Sequence, residues 1–142
     1  VVSFSSRLEI KTLSKNFKTI LAQPQVTDGV ELFIGIKKEE NLPPMITIGS
    51  GGIYTEVYQD VIQAFLPLNK KIILQLIKQT KIGQIIMGVR GMPPLALDKI
   101  VDMLLCLSQM AMELKELKEL DINPAIISQT KVSIVDIKIS LN

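Results

Sequence analysis

The run Glu119-Leu120-Asp121-Ile122-Asn123-Pro124 and, after a second apolar stretch, Asp136-Ile137-Lys138 carry the side chains best suited to chemistry in this chain. Carboxylate and amide oxygens set on neighbouring strands are the ligands that a hard cation prefers. Histidine is absent. That removes the commonest general base and transition-metal ligand, so any chemistry falls to carboxylates, amides, Lys and Arg.

The oxygens converge only in one register. If the two stretches pair antiparallel around the two-residue loop Gln129-Thr130, Ser128 opposes Lys131 and Asn123 opposes Asp136, with Cβ atoms about 4.5–5.5 Å apart. Asp121 then shares the face of Asn123 by the period of two. A three-residue loop slips the pairing by one and sets Asn123 against Val135. Around Asp136 the strand is largely apolar on both faces, which predicts a central strand and a buried carboxylate in need of a cation or donor. A salt bridge to Lys138 or Arg90 is the alternative to a metal.

The elements that must position these residues are legible in part. Residues 1–18 have an amphipathic helical pattern with Phe4, Leu8 and Leu13 on one side. Thr19 to Gln23 is predicted as a short strand that stops at Pro24. Val30 to Ile36 alternates as a second strand after the Asp28-Gly29 turn, so the two suggest a hairpin. Met45 to Ile48 is another strand, ending at Gly49-Ser50-Gly51-Gly52. That glycine run lacks the spacing of a phosphate-cradling loop and is predicted to be a tight strand-to-helix turn.

A helix is expected over Thr55–Ala64. A second follows Pro67, capped by Asn69, with Ile72, Ile73, Leu76 and Ile77 on one face. Pro93-Pro94 suit the first turn of a long helix to about Lys118, striped by Leu97, Ile100, Val101, Leu104, Leu107, Met110, Ala111 and Leu114. Strands over about Leu120–Ile127 and Lys131–Ile139 close the chain. Strands and helices mix without a regular βαβ rhythm, which predicts an α+β fold.

Composition narrows the function classes. At 142 residues the chain is about one domain. A net charge of +2 is too small to point to nucleic acid or a membrane surface. Hydrophobic residues make up 47% and mean hydropathy is +0.34, yet charges interrupt every apolar stretch short of a membrane span. So much aliphatic surface suggests that the piece docks against something. Cys106, the sole cysteine, lies in Met103–Leu107 and is expected to be a buried core residue rather than a reactive thiol; with no internal disulfide, a reducing cytoplasm is expected. The N-terminus lacks a signal-peptide pattern and reads as a cut through a longer chain.

Taken in order, Gln23-Pro24, Gly29-Val30-Glu31-Leu32-Phe33-Ile34-Gly35, Gly49-Ser50-Gly51-Gly52-Ile53-Tyr54-Thr55-Glu56, Gly88-Val89-Arg90-Gly91, Leu120-Asp121-Ile122-Asn123-Pro124 and Asp136 resemble one family. The chain looks like the later part of the ATP-grasp domain of NDP-forming acyl-CoA synthetases (ADP-forming acetyl-CoA synthetase), with succinyl-CoA synthetase β subunits as cousins. The resemblance implies a C-terminal ATP-grasp lobe: a largely antiparallel sheet packed with helices. It also implies acyl-CoA thioester cleavage coupled to ATP formation through a phosphohistidine.

By that resemblance, Gln23 and Val26 meet the adenine base and Glu31 the ribose hydroxyls. Read on its own, Glu31 faces away from Val30, Leu32 and Ile34, toward a ligand or merely toward solvent. Asn123 and Asp136 match the pair that holds Mg²⁺ against the phosphates of ATP or ADP. Asp121 corresponds to an acid near the docked phosphohistidine. Arg90 is either a phosphate or partner-domain contact or a surface arginine in a turn.

The implied partners are the nucleotide, the remainder of the ATP-grasp domain, and the CoA-binding domain or subunit that carries the phosphohistidine. Self-association is compatible with the pattern; nucleic acid and membrane are not expected. Leu42-Pro43 departs from the Phe-Gly usual in the family. The resemblance implies a missing upstream half that carries the nucleotide lysine, the glycine-rich phosphate loop and the family's own histidine, so a single subdomain, incomplete as a catalyst, is expected. The alternatives are a regulatory synthetase-like region of a protein-lysine acetyltransferase and an interaction module without nucleotide binding.

Overall fold

A computed structural model describes residues 17–20, 22–52, 60–89 and 91–142. Among these residues six strands make one antiparallel sheet: β1 (Val30–Lys37), β2 (Met45–Ser50), β3 (Val61–Phe65), β4 (Leu117–Ile127), β5 (Val132–Ile134) and β6 (Ile137–Leu141). The spatial order is β3-β2-β1-β4-β5, with β6 also on β4. Three helices lie between β3 and β4: α1 (Lys70–Gln79), α2 (Lys81–Ile86) and α3 (Leu97–Glu113). The α+β expectation holds.

One face of the sheet is covered. Leu32, Ile34 and Ile36 of β1 alternate with more exposed neighbours, as do Ile46 and Ile48 of β2. They meet Ile73 and Ile77 of α1, Ile82 and Ile86 of α2, and Ile100, Leu104 and Ala111 of α3 in a single core. Side chains of alternating residues point to opposite faces of a strand, so the polar set is left on the other side. Leu104 is fully buried. Leu104→Ala is expected to lower unfolding free energy by about 2–5 kcal/mol, read as a drop in the urea midpoint.

Helix α1 follows its sequence signals. The Asn69 Oδ1 accepts the Ile72 N–H at 2.9 Å, and Ile73, Leu76 and Ile77 are buried as the stripe predicts. In α3, Asp98, Asp102 and Glu113 stay outside as expected.

Other expectations fail for physical reasons. Thr19–Gln23 forms no strand among its described residues, because β1 takes β2 and β4 as its partners and leaves no edge for a hairpin. The helix expected over Thr55–Ala64 is contradicted at its end: residues 61–64 belong to β3, whose short pattern pairs with β2 from Met45 to Gly49. Residues 1–16, most of the first predicted helix, lie outside the described residues, as do 53–59.

Pro93 and Pro94 precede α3 rather than opening it, and α3 ends at Glu113, where Leu117 already enters β4. Cys106 is exposed, not buried: it sits between the core positions Leu104 and Leu107 but turns outward.

The last strand is also not central. Sheet order puts β5 and β6 at the edge, and Ile137, Ile139 and Leu141 are each about half exposed. Asp136 follows suit, with its side chain 54% exposed. Apolar residues on both faces of a strand indicated two covered faces, whereas here they mark uncovered surface.

Candidate functional site

The closing hairpin adopts the register that joins the two oxygens. Ser128 N–H bonds the Lys131 carbonyl at 3.0 Å across Gln129-Thr130, and Ile127 pairs with Val132, Ile126 with Ser133 and Ala125 with Ile134. The same register resumes at Ile122 with Ile137 and Asp121 with Lys138. Between them, Asn123 N–H bonds the Asp136 carbonyl at 3.2 Å, so Asn123 lies directly across from Asp136.

A β-bulge shapes this point. Leu32 pairs with Ala125 but Ile34 pairs with Ile122, so β4 sets two residues, Asn123 and Pro124, against Phe33 of β1. An extra residue in one strand shifts which side chains face which way. Ile122 and Ala125 both stay in the core, while Asp121 and Asn123 are on the open face. Proline suits a bulge because it has no N–H to give the ladder.

The turn after β2 completes the arrangement. Gly51 N–H donates to the Glu31 carbonyl at 2.8 Å. Gly52 N–H donates to Asn123 Oδ1 at 2.9 Å, which fixes the amide oxygen and leaves its second lone pair available. Gly52 has φ of +66°, and a Cβ there would collide with the Glu31 carboxylate. Glu31, Gly52, Asn123 and Asp136 thus form one continuous row.

Gln23 comes close to the same place: its Nε2 lies 3.5 Å from the carbonyl of Val135, the residue before Asp136. Val26 is half-buried in the irregular segment before β1. Asp121, partly buried, pairs in register with Gly35 and Lys138 on the open face. Arg90 lies outside the described residues.

The bland partner of Asp136 is present but weak. Lys138 Nζ lies 3.9 Å from Asp136 Oδ2, and both side chains are exposed, so the pair is worth little in water. No group of three or more Cys, Asp or Glu converges as a metal cage among the described residues. An amide oxygen and a carboxylate across a strand pair instead fit Mg²⁺, which keeps several waters and takes few protein ligands.

Beside this row, an open hollow of about 570 Å³ runs between Glu31, Ser50 and Gly51 and the side of α2 at Lys81, Ile82 and Ile85. Such a volume suits a small-molecule ligand.

Asp60 was not legible as a site residue. It is buried just ahead of β3, and its Oδ1 accepts the Lys81 N–H at 2.7 Å. Its Oδ2 accepts the Ile82 N–H at 2.9 Å and the Ser50 hydroxyl at 2.8 Å. Burial works to raise its pKa, but those N–H donors, the Ser50 hydroxyl and the Lys81 charge outweigh it and hold the carboxyl below its usual value.

A depressed folded-state pKa stabilises the fold fully above the unfolded value, and that contribution is lost as pH falls through the folded value. Thermal scans are therefore expected to show wild-type stability falling below the usual carboxylate range more steeply than in Asp60→Asn. Parallel curves would contradict this.

An ATP-grasp domain model matches residues 2–141. Acetate–CoA ligase (ADP-forming) I of Archaeoglobus fulgidus is 31% identical over 136 residues, covering 96% of this chain and 20% of that protein. The β subunit of acetate–CoA ligase (ADP-forming) I from Pyrococcus furiosus is 31% identical over 113 residues, 80% of this chain and 49% of the subunit. This chain therefore spans between about a fifth and a half of these relatives.

Among solved structures, the dinucleotide-forming acetyl-coenzyme A synthetase 1 of Ca. Korarchaeum cryptofilum, with coenzyme A and Mg-AMPPCP, superposes with a TM-score of 0.89. It is 30% identical, over 100% of this chain and 67% of that one. No described helix is long and apolar enough to cross a membrane. The matched span takes in nearly the whole chain and the sheet superposes on a solved relative: this chain belongs to the ATP-grasp domain family.

Proposed function

We propose that this chain is the C-terminal lobe of the ATP-grasp domain of an ADP-forming acyl-CoA ligase, and that it holds Mg²⁺ and nucleotide for phosphoryl transfer. The observation that carries the reading is the Asn123 amide oxygen, fixed by Gly52 N–H and set directly across from Asp136. In this reading Asn123 and Asp136 hold Mg²⁺, which neutralises charge on the phosphoryl group. Glu31 meets the ribose hydroxyls, and Gln23 and Val26 the adenine.

Asp121 orients an imidazole that arrives from elsewhere. The chain has no histidine, so any phosphohistidine serving this lobe is carried outside these 142 residues. The relative from Ca. Korarchaeum cryptofilum has a phosphohistidine segment pointing towards its nucleotide-binding site, which supports such a partner here. Arg90 serves as a phosphate or partner-domain contact. The chain is one subdomain of a larger cytoplasmic enzyme, with the phosphate loop supplied by the rest of the ATP-grasp domain. The exposed Ile137, Ile139 and Leu141 row supports a docked neighbour.

The test is calorimetric titration of ADP into the full-length protein with Mg²⁺ or with EDTA, followed by an assay of ATP formation from acyl-CoA, ADP and phosphate. Mg²⁺-dependent tightening of ADP with ATP formation is the expected result. No ADP binding in either buffer would overturn the reading.

A further inference from the structure

We infer that Asp60 is a positioning residue for the Mg²⁺ site, acting through the Ser50–Gly52 turn on the carboxamide of Asn123. The inference rests on the reading of Asn123 as a metal ligand. Asp60 lies apart from the row of site residues, yet its carboxylate ties together two elements that flank it. Two of its three bonds hold the first N–H groups of α2, and the third holds the Ser50 hydroxyl at the end of β2. The main chain adds Ser50 N–H to the Asp60 carbonyl at 3.1 Å.

Helix α2 packs into the core through Ile82 and Ile86, so its first turn is a firm anchor. Two residues beyond Ser50, Gly52 N–H holds Asn123 Oδ1. A shift of the turn therefore moves a donor on the metal-facing oxygen, and groups that orient a ligand typically change metal affinity by about 10- to 100-fold when lost.

Glu31 is affected differently. Its bond from Gly51 N–H lies in the turn, but β4 holds the same stretch from the other side, opposite Ile126 and away from β3 and Asp60. The ribose contact should survive a loosened turn while the metal contact does not. That separation distinguishes positioning from general structural damage, which would weaken nucleotide binding with and without Mg²⁺ alike.

The test uses the full-length protein with Asp60→Asn and, separately, Ser50→Ala. Ser50→Ala removes the hydroxyl that donates to Asp60 and leaves the bonds from Asp60 to α2 in place. Folding is checked by circular dichroism. The Mg²⁺ concentration for half-maximal tightening of ADP is then measured, beside ADP affinity in EDTA.

Asp60→Asn is expected to raise the Mg²⁺ half-point by roughly 10-fold and Ser50→Ala by roughly 3-fold, with ADP affinity in EDTA held within about twofold. If Asp60→Asn does not fold, Ser50→Ala decides alone. Unchanged Mg²⁺ half-points in folded variants overturn the inference, as does equal weakening with and without Mg²⁺. A wild-type protein whose ADP binding ignores Mg²⁺ overturns the metal reading itself and this inference with it.

Discussion

Asn123→Ala and Asp136→Ala in the full-length protein are each expected to weaken Mg²⁺-dependent ADP binding by at least roughly 10-fold, while ADP affinity in EDTA stays within about twofold. The expectation follows from the few protein oxygens that Mg²⁺ takes. A site with two protein ligands loses half of them in either variant, and the remaining waters and phosphates cannot restore the geometry. The bulge that turns Asn123 to the open face keeps it out of the core, so neither change opens a cavity. Calorimetry in the two buffers makes the measurement. Equal Mg²⁺ dependence in wild type and variants would sink the metal assignment without touching the nucleotide assignment.

Gly52→Ala is expected to damage both ends of the site. Its φ of +66° lies in the left-handed region, where a side chain costs about 1–2 kcal/mol. The new Cβ meets the Glu31 carboxylate, which must swing away from its place on the open face. The same shift carries the Gly52 N–H off Asn123 Oδ1. Weakening of ADP binding by about 10-fold even in EDTA is therefore expected, with a further loss when Mg²⁺ is added; 10-fold corresponds to about 1.4 kcal/mol. Glu31→Gln should reproduce the first loss and not the second. ADP affinity in EDTA that matches wild type would show that Glu31 carries no nucleotide contact.

The two predictions draw on different kinds of legibility. The register that opposes Asn123 to Asp136 was readable because a two-residue loop permits one pairing, and the pairs as far as Glu119 with Ser140 follow from it by counting. Helix α1 was readable because its cap and stripe are local. The bonds of Gly52 and Asp60 were not, since they join residues 71 and 21–22 positions apart and depend on how the turn folds over the sheet.

The β3 error has the same root. Val61 to Phe65 is a strand because β2 offers it an edge, not because of any pattern of its own. Edge position also misled the reading of Asp136. Apolar residues in the last strand described its chemistry correctly and its neighbours wrongly, because what covers a strand is decided outside it.

The bulge at Asn123-Pro124 has a consequence for how this chain tolerates change. Along β1, substitutions at Leu32, Ile34 and Ile36 should reduce protein abundance, and those at Glu31 should spare abundance and reduce activity. From Leu120 along β4 that alternation cannot keep one phase: even-numbered Leu120 and Ile122 are abundance positions before the bulge, and odd-numbered Ala125 and Ile127 after it. A saturation-mutagenesis map that scores abundance and activity separately would therefore show, from Leu120 to Ile127, a two-residue beat whose parity reverses at Asn123-Pro124, marking the site without any bound ligand.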